Sequence, residues 1–252
     1  MLDESVEELR AVRVAPQQCV EQIAADLSDP NELRVAFDAT VRALGAVDVL
    51  VNNAGMLGPI GRLEDTDPKE WALTIQVNLL APVCLMRLAL PGMRSRGRGK
   101  IINLSGGGAT GPRPHFSAYA AAKAALVRTT ETVADEVKTS GIDVNAVAPG
   151  AMNSRLLEQV LAAGPERVGH NEYNRALEQR EHGGAQPARA ADLIAWLASS
   201  ASDGITGRLL SAVWDPWEHL SEHRDDLAKS DVYTLRRIVP EDRGKQWAPN
   251  QR

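Results

Sequence analysis

Tyr119 and Lys123 stand four positions apart in the run SAYAAAK, residues 117–123, among serine and alanine. On a helix, positions i and i+4 share a face about one turn apart, so a phenol and an ammonium reach the same small object. A phenol ordinarily titrates at about pH 10, and a nearby ammonium favours its phenolate, which makes the pair a candidate for proton transfer. The same spacing arises by chance in alanine-rich helices, so the elements that would position it must decide. His219 and His223 are also spaced i, i+4, yet no third ligand lies near them, and a solvated helix face is the better reading than a metal site. His115, in RPHFSAY, is placed to line a pocket beside the tyrosine.

Short runs rich in Val, Ile and Leu alternate with longer stretches of helical period, the pattern of a parallel sheet with crossover helices. Strands are expected at 20–25, 47–52, 100–105, 142–148 and 208–213. Between the first two, Asp29 reads as an N-cap, Pro30 as the first helical residue and Gly45 as the stop. Further helices are expected in DPKEWALTIQVNLLAPVCLMRLALPGMR, in SAYAAAKAALVRTTETVADEVKTSG and in QPARAADLIAWLASS. The fold class is therefore α/β, a doubly wound parallel sheet. Residues 152–188 are polar and broken by Gly164-Pro165 and Gly183-Gly184 directly after a strand, which marks a substrate-covering segment. The tail, 214–252, is too polar to form its own core, and Trp214 and Trp217 are expected to pack on the domain, 1–213, or on a neighbouring subunit.

The chain has 252 residues, a formal net charge of −5 and two cysteines, Cys19 and Cys84, each alone. These numbers exclude a basic nucleic-acid footprint, a disulfide framework and a paired-cysteine metal site. No stretch reads as a membrane span or a signal peptide, so a cytoplasmic protein with a small-molecule ligand is expected.

The strand ends carry AADLSD, LVNNAG, INLSGGGATG and NAVAPGAMNS. With SAYAAAK and VNLLAP between them, in this order and at these intervals, the set from about Val20 to Val213 resembles the short-chain dehydrogenases/reductases. The resemblance implies an NAD- or NADP-dependent oxidoreductase interconverting a secondary alcohol and a ketone. It makes Tyr119 the proton donor, Lys123 the ammonium that also bonds the nicotinamide ribose, and Asn78 the holder of a water that links the lysine to solvent. Asp26 and Leu27 correspond to the adenine contacts; Asn53, Ala54 and Gly55 to the turn at the adenosine ribose; Pro149, Gly150 and Met152 to the wall beside the nicotinamide. The family's substrate-orienting serine usually lies thirteen residues before the tyrosine, where this chain has Gly106; either Ser105, one residue earlier, takes the role, the assignment made here, or the role is vacant. The glycine-rich strand–turn–helix unit that opens such folds is absent, so the sheet is expected to lack its first βαβ portion. The choice between NAD and NADP is unreadable for the same reason. The resemblance also implies a homo-dimer or homo-tetramer. The alternative is a catalytically silent, truncated relative that serves as a structural or regulatory subunit.

Overall fold

The computed structural model describes residues 2–15 and 17–247. Four parallel strands, β1 (Val49–Asn52), β2 (Gly99–Leu104), β3 (Ile142–Ala148) and β4 (Leu209–Ser211), form a sheet in the order β1-β2-β3-β4. The register pairs Val51 with Ile102, Ile102 with Asn145 and Val147 with Leu210. After α1 (Leu2–Ala11) comes α2 (Pro30–Leu44), capped by the Asp29 side chain on the Asn31 N–H and stopped by Gly45 at φ 82°, as its sequence signature predicts. Helices α3 (Pro68–Ile75) and α4 (Ala81–Arg96) follow β1, and α5 (Ser117–Glu136) follows β2. Helices α6 (Arg155–Val168), α7 (His170–His182) and α8 (Pro187–Ala198) lie between β3 and β4, and α9 (Arg224–Ala228) belongs to the tail.

Both sheet faces are covered, which is why the strands read as continuous apolar runs. One face packs Ile101, Ile142 and Val144 against Met86, Ala89 and Met93 of α4 and Ala134 of α5. The other packs Ile102, Leu104 and Val147 against Leu193 and Leu197 of α8 and against Trp217, Leu220 and Leu227 of the tail. Trp217 is thus buried in this cluster, whereas Trp214 is 84% exposed. Arg208 fastens the tail by donating to the carbonyls of Leu227, Ser230 and Val232.

Two expectations need correction. Residues 20–25 form no strand. A strand exists through its ladder, and these residues are not paired with β1, whose Val49 and Val51 are each 39% exposed. The reading that no stretch approaches a membrane span is also too strong, because an 18-residue window of the continuous helical run Pro68–Arg96 reaches a mean hydropathy of 1.7, long and apolar enough to cross one. Here its inner side, with Thr74, Asn78, Met86 and Met93, is built into the fold, and a third of its apolar window is buried. Leu73 and Leu80 remain 39% and 46% exposed on it.

Candidate active site

The carboxyl ends of the strands carry the site. Tyr119 and Lys123 lie on the first turns of α5, 7% and 3% exposed, with the ammonium 5.7 Å from the centre of the phenol ring. Lys123 Nζ donates to the Leu104 carbonyl at the end of β2, 2.7 Å away. Burial pulls its pKa down to about 8, and burial pushes that of Tyr119 up against the opposing charge of Arg113.

Asn78 reaches the same place through a break in helix regularity. The helix expected to run unbroken from Pro68 opens into a π turn, Gln76–Leu80, that carries the fully buried Asn78. Such turns mark functional sites. Its amide donates to the carbonyls of Met56 and Thr74 and accepts from the Met56 N–H, at 2.8, 3.0 and 3.1 Å. The loop after β1 is thereby pinned with Asn53, Ala54 and Gly55 exposed at its crest. A Cβ on Gly55 would lie 2.8 Å from Asn78 Oδ1 and 3.6 Å from Lys123 Nζ, so glycine lets this backbone come close to both.

Gly106 is the residue that meets the phenol. A Cβ there would lie 2.4 Å from Tyr119 Oη, closer than any side chain tolerates. Ser105 donates its N–H to Val147, and its hydroxyl is buried without a hydrogen-bond partner among the described residues. Of the two neighbours, the glycine faces the phenol.

The loop after β3 closes the site from the other side. Gly150 has φ 92°, and a Cβ on it would strike Ala185 and Val213 at 2.7 Å each. Ala185 donates to the Ala151 carbonyl, tying the far end of residues 152–188 back to this turn. Pro149 and Met152 stand half-buried beside it. Above Tyr119, Leu157, Val160 and Val168 of α6 and Ala176 of α7 pack with Leu57, Ile60 and Phe116. Arg167 donates twice to the Ile60 carbonyl, at 2.9 and 3.2 Å. Asp26 is exposed at the turn before α2, where the Ser28 N–H and hydroxyl hold its carboxyl below the usual range, and half-buried Leu27 follows it. No hydrogen bond links these two to the Tyr119 group among the described residues.

Sequence reasoning missed one member, Arg113, whose guanidinium lies over the rings of Phe116 at 4.1 Å and Tyr119 at 5.8 Å. A cation in the loop before the tyrosine was the available signal. Its partner, Glu172, is 59 positions away and left none.

The profile of the enoyl-(acyl carrier protein) reductase family matches residues 2–212. A short chain dehydrogenase of Monascus purpureus is 30% identical over 224 residues, covering 89% of this chain and 71% of the relative. The chain belongs to the short-chain dehydrogenase/reductase family. Within that family, the 3-alpha-(or 20-beta)-hydroxysteroid dehydrogenase of Mycobacterium tuberculosis is 32% identical over 201 residues, 80% of this chain and 72% of that one. Among solved structures, the gluconate 5-dehydrogenase of Burkholderia cenocepacia, in complex with NADP and tartrate, superposes with a TM-score of 0.64 at 29% identity, covering 74% of this chain and 71% of that chain. As a short-chain dehydrogenase/reductase the chain is an oxidoreductase of a family that acts on small molecules, built on the family's parallel α/β sheet.

Proposed function

We propose that this protein interconverts a secondary alcohol and a ketone with NAD or NADP, and that Tyr119 is the proton donor and acceptor. One observation carries the reading: the phenol of Tyr119, the ammonium of Lys123, the amide of Asn78 and the bare backbones of Gly55 and Gly106 converge at the ends of β1 and β2. A bound nicotinamide supplies or accepts the hydride. In reduction, Tyr119 Oη gives its proton to the oxygen that gains charge; in oxidation it takes one back. Burial keeps the phenol protonated, the form that donates, and the ammonium of Lys123 offsets the charge left after donation. The apolar roof from α6 and α7 excludes water.

The residues present fit the nicotinamide half of the cofactor. Lys123, Pro149, Gly150 and Met152 would hold it, while Asn53, Ala54 and Gly55 would pass the adenosine ribose, where Gly55 leaves backbone bare because a Cβ would crowd Asn78. Asp26 and Leu27 would serve the adenine. Among the described residues no glycine-rich turn leads into a helix N-terminus beside them, the usual seat of a pyrophosphate. We assign residues 1–213 to the dehydrogenase unit, 152–188 to its substrate cover, 214–252 to a packed extension, and the protein to the cytoplasm.

A second reading rests on Gly106: with no hydroxyl facing the phenol, the chain is a catalytically silent relative that supports an active partner. Turnover separates the two. With a panel of ketones and saturating cofactor, Tyr119→Phe lowers the rate by roughly 10²–10⁴ while cofactor affinity, followed by nicotinamide fluorescence, stays put. A variant within a factor of two of the parent refutes Tyr119 as the donor, and a parent with no turnover on any ketone supports the silent reading.

A further inference from the structure

The three glycines after β2 make room for three side chains, those of Tyr119, Arg113 and Ala120. A Cβ on Gly106 would meet the Tyr119 oxygen, one on Gly107 would lie 3.6 Å from Arg113 Nη1, and one on Gly108 would lie 2.7 Å from Ala120 Cβ. The loop is thus pressed flat against α5, and Arg113 folds back along it until its guanidinium faces the phenol ring. From the opposite side Glu172 of α7 accepts from Arg113 Nε and Nη2 at 3.0 and 2.6 Å. The pair is shielded, with side chains 23% and 30% exposed, and it joins α7 to the loop that leads into the helix carrying Tyr119.

We propose that Arg113 is a positioning residue for the proton on Tyr119, and that Glu172 sets how much of the guanidinium charge reaches the phenol. This rests on Tyr119 being the proton donor, and it gives a charge-based substitute for the hydroxyl absent at Gly106. A cation near a phenol favours the phenolate, and a carboxylate paired with that cation cancels part of its field. With α7 seated, the paired Arg113 leaves the proton on Tyr119, ready to donate; with α7 lifted, the bare guanidinium draws the proton off. The other groups facing Tyr119 do not track the position of α7 in this way. Lys123 sits on the same helix, 5.7 Å from the ring. His115 has a buried Nδ1 without a hydrogen-bond partner among the described residues and an Nε2 that would lie 3.2 Å from a Cβ on Gly169. The Trp71 indole on α3 donates to the Ser117 hydroxyl, a neutral pair. Leu57, Ile60, Leu157, Val160 and Ala176 are apolar, and Tyr173 packs at the margin.

The test reads the proton directly in the full chain, with no cofactor and no turnover, so its failure is distinct from a failure of the proposed activity. Tyrosine labelled with carbon-13 at Cζ is titrated by NMR, and Tyr119→Phe identifies the Tyr119 resonance among the chain's three tyrosines. Arg113→Gln is expected to raise the Tyr119 midpoint by about half a unit to one and a half, and Glu172→Gln to lower it by a similar amount. Arg113→Lys stays within a few tenths of the parent. Where alkaline unfolding cuts the curve short, the phenolate fraction at the highest pH with native near-ultraviolet circular dichroism is compared, and the expected order is Glu172→Gln, then parent with Arg113→Lys, then Arg113→Gln. Equal fractions, or midpoints that move in the same direction in Arg113→Gln and Glu172→Gln, overturn the proposal.

Discussion

Replacing Lys123 with methionine is expected to stabilise the protein at neutral pH. The ammonium is 3% exposed, and burial lowers its pKa from 10.5 to about 8. At about 1.4 kcal/mol per unit, holding the charged form in the fold costs about 3 kcal/mol relative to water. Methionine is similar in length and carries no charge, but it leaves the Leu104 carbonyl without its donor, a loss of about 1–2 kcal/mol. The variant should therefore be more stable than the parent by about 1–2 kcal/mol at pH 7. The gap must also close with pH. Between about 8 and 10.5 the unfolded parent still holds the lysine proton and the folded parent has lost it, so parental stability rises with pH relative to the variant. By about pH 9.5 the parent should have regained about 2 kcal/mol. Urea denaturation of both proteins at the two pH values measures this, with midpoints compared at constant slope. A variant less stable at neutral pH, or a gap that does not change with pH, refutes the burial argument.

Gly106→Ser restores the family's residue but places a Cβ 2.4 Å from Tyr119 Oη, so it is expected to destabilise by about 1–3 kcal/mol in thermal denaturation; a neutral result would mean that the phenol swings aside freely. Trp217→Ala removes a buried indole that packs tilted against Trp196, ring centres 6.0 Å apart, and a loss of about 3–5 kcal/mol with early proteolysis of the tail is expected. Trp214→Ala, at an exposed side chain, should stay within about 0.5 kcal/mol, and equal effects in the two variants would contradict the packing described. The apolar residues left exposed along α3 and α4, Leu73 and Leu80, fit pairing with a second copy as a homo-dimer or homo-tetramer; sedimentation at micromolar concentration should show an oligomer, and a monomer defeats that expectation.

What the sequence made legible is what short-range chemistry dictates. Asp29, Pro30 and Gly45 bound a helix because caps and stops act within one turn. Ile142–Ala148 matches its expected span because its side chains are buried on both faces and leave no ambiguity of period. Tyr119 and Lys123 come together because one helix carries both. Long-range geometry was hidden. Residues 20–25 have a strand's composition, but pairing belongs to two segments and cannot be read from one. The π turn at Gln76–Leu80 has no composition of its own, and it takes the Asn78 bonds to Met56 to explain it. Ser105 and Gly106 differ by one residue along the chain, and only the end of β2 decides that the glycine meets the phenol. Arg113 and Glu172 are each unremarkable alone; two elements had to dock before they became a pair.

The two-sided covering of the sheet has a consequence for how the chain leaves the ribosome. Ile102, Leu104 and Val147 are made early, yet what hides them, from Ala190 through Trp217 to Leu227, is made late. At translation speeds of about 5–20 residues per second, that strand face waits on the order of ten seconds for its cover. During the wait the nascent protein presents a row of branched aliphatic side chains to the cell, the kind of surface that chaperones hold and that other nascent chains stick to. Yield in a heterologous host should therefore depend on elongation rate and chaperone supply through this interval more than on the stability of the finished molecule, and slow codons placed just before residue 190 should lower the soluble fraction.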